Sequence, residues 1–183
     1  MKKYFPILIF LLVFFMFLGG QVSYDLAYSK KGNSSDDSHL HYQELFDDYA
    51  FQTITGKTID LVNIKAPIVI LNFWASWCLP CIEEIPSLVA LRKKFSDQEV
   101  FIIGINTDQE NQKYKIMKVA RKLKLNFPQI ADSTGEILAD FDVEALPLTI
   151  FFYRGKVLKI NYGAIDFMSK KVLSKLEGVL END

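Results

Sequence analysis

Apolar residues in this chain fall into runs of three kinds, and each kind predicts a different element. The first is the block Phe5–Leu18, broken only by Pro6, with Lys2 and Lys3 before it and Gly19-Gly20 after it. A positive start followed by an apolar stretch of about 7–15 residues is the pattern of an export signal, whereas a membrane-spanning helix needs about 20 apolar residues. Residues 1–20 are therefore expected to direct export, either as a cleaved signal peptide or as a retained membrane anchor. The lysines place that end in the cytoplasm and the remainder outside it. No cysteine follows the run, which excludes a lipoprotein anchor.

Residues 21–41 invert the pattern. They are polar and uneven, centred on Ser29-Lys-Lys-Gly-Asn-Ser-Ser-Asp-Asp-Ser38, and read as a flexible linker. His39 and His41 lie at its end without a further ligand nearby, and no metal role is assigned to them.

From Tyr42 to the end, short apolar runs alternate with helical periodicity. Ala50–Ile54 and Thr58–Leu61 read as two strands around the turn Thr55-Gly56-Lys57. Ile68–Trp74 (IVILNFW) and Val100–Ile105 (VFIIGI) are nearly unbroken β-favouring runs, as strands covered on both faces require. Helices are predicted over Leu79–Phe95, over the lysine-rich stretch Gln109–Leu123, and over Ser133–Phe141. A hairpin, Thr149–Tyr153 and Lys156–Tyr162, turns at Arg154-Gly155, and an amphipathic helix over Phe167–Leu180 closes the chain. Two buried strands with helical crossovers, then a hairpin and a helix, imply an α/β fold: a mixed sheet between helices.

Composition narrows the function. Of 183 residues, 50% are hydrophobic, enough to bury a full core, and 21 Lys plus Arg balance 22 Asp plus Glu. Nothing in that balance recommends nucleic acid as a partner. The two cysteines are only three positions apart. A bridge closing so short a loop restrains little of the unfolded chain, so the pair makes better sense as chemistry than as a staple.

That pair lies in Trp77-Cys78-Leu79-Pro80-Cys81, where the strand Ile68–Trp74 ends and a helix begins. Unpaired backbone N–H groups and the helix dipole favour a thiolate there. In Cys-x-x-Cys motifs the first thiol drops from about 8.5 into the range of about 3.5–7.5. Cys78 is thus expected to be an exposed attacking thiolate, and Cys81, one turn inward, the resolving thiol. Pro80 suits the first turn, where its missing N–H costs nothing. Half a zinc site is the competing reading, but two further ligands are wanting; copper-type Cys-x-x-Cys motifs usually lack a tryptophan such as Trp77. Glu84 falls within the apolar arc of the same helix. A carboxylate buried there would have a raised pKa and could exchange a proton with the thiols; the alternative is a surface glutamate.

The segment Asn72-Phe-Trp-Ala-Ser-Trp-Cys-Leu-Pro-Cys81, with Pro86 beyond it, resembles the thioredoxin superfamily. It is most similar to the TlpA/ResA-like extracytoplasmic branch. Gly56-Lys57, Asn106-Thr107-Asp108 after the second strand, Phe127-Pro128, Asp132, Gly135 and Val143-Glu-Ala-Leu-Pro147 extend the match over about residues 42–183. The resemblance implies a thioredoxin-like domain with a βα insertion at roughly 109–130. It also implies a cis peptide bond before Pro147, which would sit beside the redox pair and help hold a substrate chain. The family pattern has Gly where Ala145 stands and Thr where Leu148 stands. No cofactor or resident metal is implied. The implied partners are disulfide-containing envelope proteins, oxidised apocytochrome c among them, and a membrane thiol carrier as electron donor. The rival readings are a disulfide-donating oxidant, a thioredoxin-fold peroxidase and a non-enzymatic metal-binding module.

Overall fold

Strand β3 (Ile68–Trp74) is buried at every position, because it is the middle of a five-stranded sheet. In this computed structural model, which describes residues 34–181 together with positions 14 and 16, the strand order is β5-β4-β3-β6-β7. Strand β4 (Val100–Asn106) runs parallel to β3, and β5 (Gln129–Ala131) runs parallel to β4. On the other side β6 (Leu148–Tyr153) and β7 (Lys156–Tyr162) are antiparallel. Arg154 and Gly155 both take positive φ, 49° and 78°, as the tight turn between these strands demands.

The pleat sorts alternate side chains of β3 into two cores. Ile68, Ile70 and Trp74 face a layer built by helices α2 (Leu79–Lys94), α3 (Gln112–Leu123) and α5 (Lys170–Glu181). Val69, Leu71 and Phe73 face a second layer. It is filled from helix α1 (Ser34–Asp48), the hairpin β1 (Ala50–Gln52) and β2 (Thr58–Asp60), and helix α4 (Glu136–Asp140). By this parity Asn72, a buried polar residue, falls on the α2 side. That placement matters for the site described below.

Several elements differ from expectation. Helix α1 begins at Ser34, so the flexible linker expected over 21–41 is corrected from that residue onward. The apolar residues that fix it, Tyr42 and Phe46, are one turn apart and buried, and the Tyr42 hydroxyl donates to the Phe141 carbonyl at 3.1 Å. His41 bonds the Asp140 carbonyl at 2.7 Å. Helix α3 starts at Gln112 rather than Gln109, behind Asn111 at φ 50°, and α4 starts behind Gly135 at φ 77°. The Asp132 carboxylate accepts the amides of Ile137 and Leu138 at 3.2 and 2.9 Å. Strand β5 has no counterpart among the strands expected from the pattern; it follows α3 at the end of the stretch 109–130. The final helix starts at Lys170, and Phe167 is buried in the turn before it. The expected signal or anchor at 1–20, apart from positions 14 and 16, and residues 21–33 lie outside the described residues. Among the described residues no helix is long and apolar enough to cross a membrane.

Gly104 stands in register between Asn72 and Gln129. A Cβ there would lie 2.5 Å from the Gln129 side-chain oxygen. That amide is buried and holds the Trp74 indole N–H at 3.1 Å, so it cannot swing aside without losing the bond. Gly104→Ala is expected to cost about 1–3 kcal/mol in urea unfolding, with a change in Trp74 fluorescence.

Candidate active site

Four residues, Ala75 to Cys78, carry the chain from the end of β3 to the start of α2. Cys78 is the N-cap, with extended backbone at φ −80° and ψ 101°, and its Sγ accepts the Cys81 N–H at 3.3 Å. The sulfur therefore occupies the place where a side-chain oxygen usually satisfies an orphan amide. No acidic residue occupies the first turn to offset the helix dipole. Pro80 lies in that first turn, where no intrahelical hydrogen bond is lost.

Cys78 and Cys81 are joined in a disulfide, with Cα atoms 5.3 Å apart. Cys81 is fully buried, and Cys78 is only 5% exposed. The expectation of an exposed Cys78 is thus corrected: in the oxidised form it is a nearly covered edge of the apolar layer beneath α2. It remains the more accessible of the two. The exposed residues are its neighbours, Trp77 at 70% and Leu79 at 66%, which with Pro80 make an apolar rim around the disulfide.

The loop is fastened from below by a residue given no role from sequence. Asp108, fully buried just past β4, accepts the Ser76 amide and hydroxyl, each at 2.9 Å. It also accepts the Asn106 amide at 2.9 Å and pairs with Lys115 at 3.4 Å. Burial alone would raise its pKa. The hydrogen bonds from Asn106 and Ser76, together with Lys115, outweigh that and hold the carboxyl below its usual range. Asp108 is a positioning residue for the loop that bears Cys78. Its replacement by alanine leaves buried donors without an acceptor, so Asp108→Ala is expected to lower the unfolding free energy by about 2–4 kcal/mol. Denaturant melts of the oxidised protein measure this, with Asp108→Asn expected to fall between the two.

Glu84 lies one turn beyond Cys81 on the inward face of α2 and is only 4% exposed. One carboxylate oxygen accepts the Asn72 side-chain amide at 2.8 Å; the other accepts the Ile165 backbone amide at 3.0 Å. The Asn72 amide also donates to the Thr149 hydroxyl at 3.0 Å. Burial pushes the Glu84 pKa up to about 7, although these two hydrogen bonds pull against it. Ser87, on the next residues of α2, accepts the Phe167 amide at 3.1 Å, so the segment before α5 is tied twice to this helix.

The Leu146–Pro147 peptide bond is cis. Pro147 is buried at the head of β6, and its carbonyl accepts the Gly163 amide at 2.9 Å. Leu146 packs against both apolar layers, including the one that contains the two cysteines. Ala145 is exposed, and Leu148 is buried opposite Phe73 in the sheet. The fold therefore gathers Trp77, Cys78, Pro80, Cys81 and Glu84 along one loop and helix, and the cis-proline segment reaches their apolar layer through Leu146. Asn72, Thr149 and Asp108 complete the arrangement, and only a folded sheet brings them together.

Comparison with known proteins agrees with this geometry. Residues 43–160 match the AhpC/TSA family. The chain is 32% identical over 118 residues to the thiol-disulfide oxidoreductase ResA of Bacillus subtilis, covering 64% of this chain and 65% of that protein. It is 32% identical over 130 residues to the thioredoxin-like protein YneN of the same organism, covering 70% and 74%. Among solved structures, a secreted disulfide oxidoreductase of Mycobacterium tuberculosis superposes with a TM-score of 0.60 at 25% identity, covering 76% of this chain and 98% of that one. With a mixed sheet between helices and a Cys-x-x-Cys disulfide at the head of α2, this chain belongs to the AhpC/TSA family, among its thioredoxin-like thiol–disulfide oxidoreductases.

Proposed function

We propose that this protein is an exported protein-disulfide reductase acting on proteins of the cell envelope, with Cys78 as nucleophile and Cys81 as resolving thiol. The observation that carries the reading is the Cys78 sulfur capping α2 within bonding distance of the Cys81 amide. Once reduced, a sulfur so placed is stabilised as thiolate by the same N–H and by the helix dipole.

The exchange runs in two displacements. The Cys78 thiolate attacks one sulfur of the substrate disulfide; that S–S bond breaks and the first substrate thiolate leaves, taking a proton from solvent. Cys78 is then bonded to the substrate. Glu84, whose raised pKa suits it to exchange a proton near neutral pH, takes the proton from the Cys81 thiol. Cys81 attacks the Cys78 sulfur, the mixed disulfide breaks, and the second substrate thiolate departs, taking the proton that Glu84 holds. The substrate has gained two electrons, and the protein is left with the Cys78–Cys81 bond. A membrane thiol carrier returns two electrons and one proton, which restore the Cys78 thiolate and the Cys81 thiol. The apolar rim of Trp77, Leu79 and Pro80, with the segment at Pro147, is suited to an extended stretch of substrate chain.

Oxidised apocytochrome c and other envelope proteins are the candidate substrates. The leader over residues 1–20 supports export, as does the secreted relative. Capture in the native envelope tests the proposal: Cys81→Ala is expected to accumulate a mixed disulfide through Cys78 with its partner. A substrate caught with its disulfide opened supports reduction. If Cys81→Ala captures no opened disulfide and the wild-type disulfide instead oxidises dithiol clients, the protein donates disulfides.

A further inference from the structure

The nearly even overall charge hides a local segregation. Residues 111–131 contain no Asp or Glu, yet they carry five lysines and one arginine, all on α3 or just after it. Helix α3 is amphipathic; Ile116 is buried, while Lys118 and Lys122 are exposed and form no ion pair among the described residues. Between α3 and α2 lies a groove of about 460 Å³. Ile82, Val119 and Leu123 give it an apolar lining, and Lys115, Lys118 and Lys122 stand along it with no acidic residue among its walls.

Ser76, two residues before Cys78, is among the residues that line the groove. Lys115 also lines the adjoining depression beside Trp77. The groove therefore adjoins the loop that bears Cys78. Because Asp108 pairs with Lys115, the uncompensated charge of the groove lies at Lys118 and Lys122.

We propose that this groove is an exosite for the disulfide-bearing partner, accepting a segment in which acidic residues flank an apolar side chain. The apolar residue lies against Val119, Leu123 and Ile82, while its acidic neighbours meet Lys118 and Lys122. Charges of this kind chiefly raise the rate of productive encounter and make it sensitive to salt. The inference rests on the exchange activity proposed above, but it concerns which partners are chosen rather than how sulfur reacts.

The test separates the two. Full-length oxidised protein in neutral detergent is titrated by calorimetry with two cysteine-free peptides, each with a central Phe flanked either by Glu or by Lys. The Glu peptide is expected to bind about tenfold more tightly at about 50 mM salt, with the preference fading at about 500 mM. The double variant Lys118→Glu/Lys122→Glu is expected to lose or reverse the preference, and Lys57→Glu/Lys65→Glu, elsewhere on the surface, to keep it. Equal binding of both peptides, or equal losses in both double variants, overturns the proposal. So does binding to phosphatidylglycerol vesicles that depends on Lys118 and Lys122 when no peptide preference is found, since the lysines would then serve a membrane. These arms need no redox chemistry and remain decisive if the reductase reading fails. With reduced protein, a disulfide flanked by Glu is expected to react about tenfold faster than one flanked by Lys; equal rates despite preferential binding refute an exosite for exchange.

Discussion

Cys78→Ser is expected to abolish disulfide exchange, while Cys81→Ala is expected to keep the first attack and lose turnover. The asymmetry follows from the loop and helix that hold the pair. Cys81 is fully buried within α2, and Cys78 retains the only accessible edge. A serine at 78 can still cap the helix, so folding is preserved, but an alcohol does not displace sulfur under these conditions. In Cys81→Ala the nucleophile and its amide donor remain, because the donor is the backbone N–H of residue 81. One equivalent of mixed disulfide is therefore expected to form at close to the wild-type rate and then persist. Alkylation of the reduced protein across pH checks the cause. Its half-maximal rate is expected well below the ordinary thiol value of about 8.5, and only Cys78 is expected to be modified rapidly. An ordinary value, or preferential labelling of Cys81, removes the electrostatic basis of the mechanism.

Glu84→Gln is expected to change kinetics and stability together. Loss of a general base typically costs about 10²–10⁴-fold in the step it serves. Resolution of the mixed disulfide is the step expected to slow, with first attack little altered; the rate inflection near pH 7 disappears in the variant. Stability gives an independent reading. The folded-state pKa, about 7, lies above the ordinary 4.5. Between those values the unfolded chain is ionised while the folded protein still holds its proton, so rising pH favours unfolding. The stability is fully present below pH 4.5 and is lost as pH rises through 7, in all by about 3 kcal/mol. Urea midpoints at pH 5 and pH 8 are expected to show this loss in the oxidised wild type relative to Glu84→Gln. The variant keeps one of the two hydrogen bonds, because the glutamine amide can accept from Asn72 but meets the Ile165 N–H as a second donor. A wild-type pH dependence no steeper than the variant's places a carboxylate of ordinary, weak basicity in the folded protein and removes the tuning on which the proposed proton transfer rests.

The central elements were legible because their signals are local. IVILNFW is apolar throughout because both its faces are covered, and Pro80 and the cysteine spacing mark where α2 begins. Arg154-Gly155 announced its own turn. Glu84 could be reached by periodicity, since a position every 100° around a helix predicts which side is inward. Asp108 could not, because its partner Ser76 is 32 residues away and a loop carboxylate has no period. Helix α1 was missed for a related reason: its polar stretch offers little apolar pattern, and Tyr42 and Phe46 acquire their role only against Phe141, Phe152 and their neighbours. Strand β5 is three residues long, too short for alternation to register. The slight exposure of Cys78 depends on how the folded loop covers it, which spacing alone does not encode.

The double tie between α2 and the segment before α5 makes the C-terminal region part of the proposed acid–base apparatus. The Ile165 amide supplies one of the two hydrogen bonds to the Glu84 carboxylate, and Phe167 packs into the apolar layer beneath α2. A chain shortened before residue 165, or one whose last helix is exchanged for a homologue's, would admit water to this carboxyl and return it toward ordinary acidity. Its disulfide would still close, yet the timing of proton delivery would drift. Tail grafts among relatives should therefore retune the pH response of exchange without altering any sulfur.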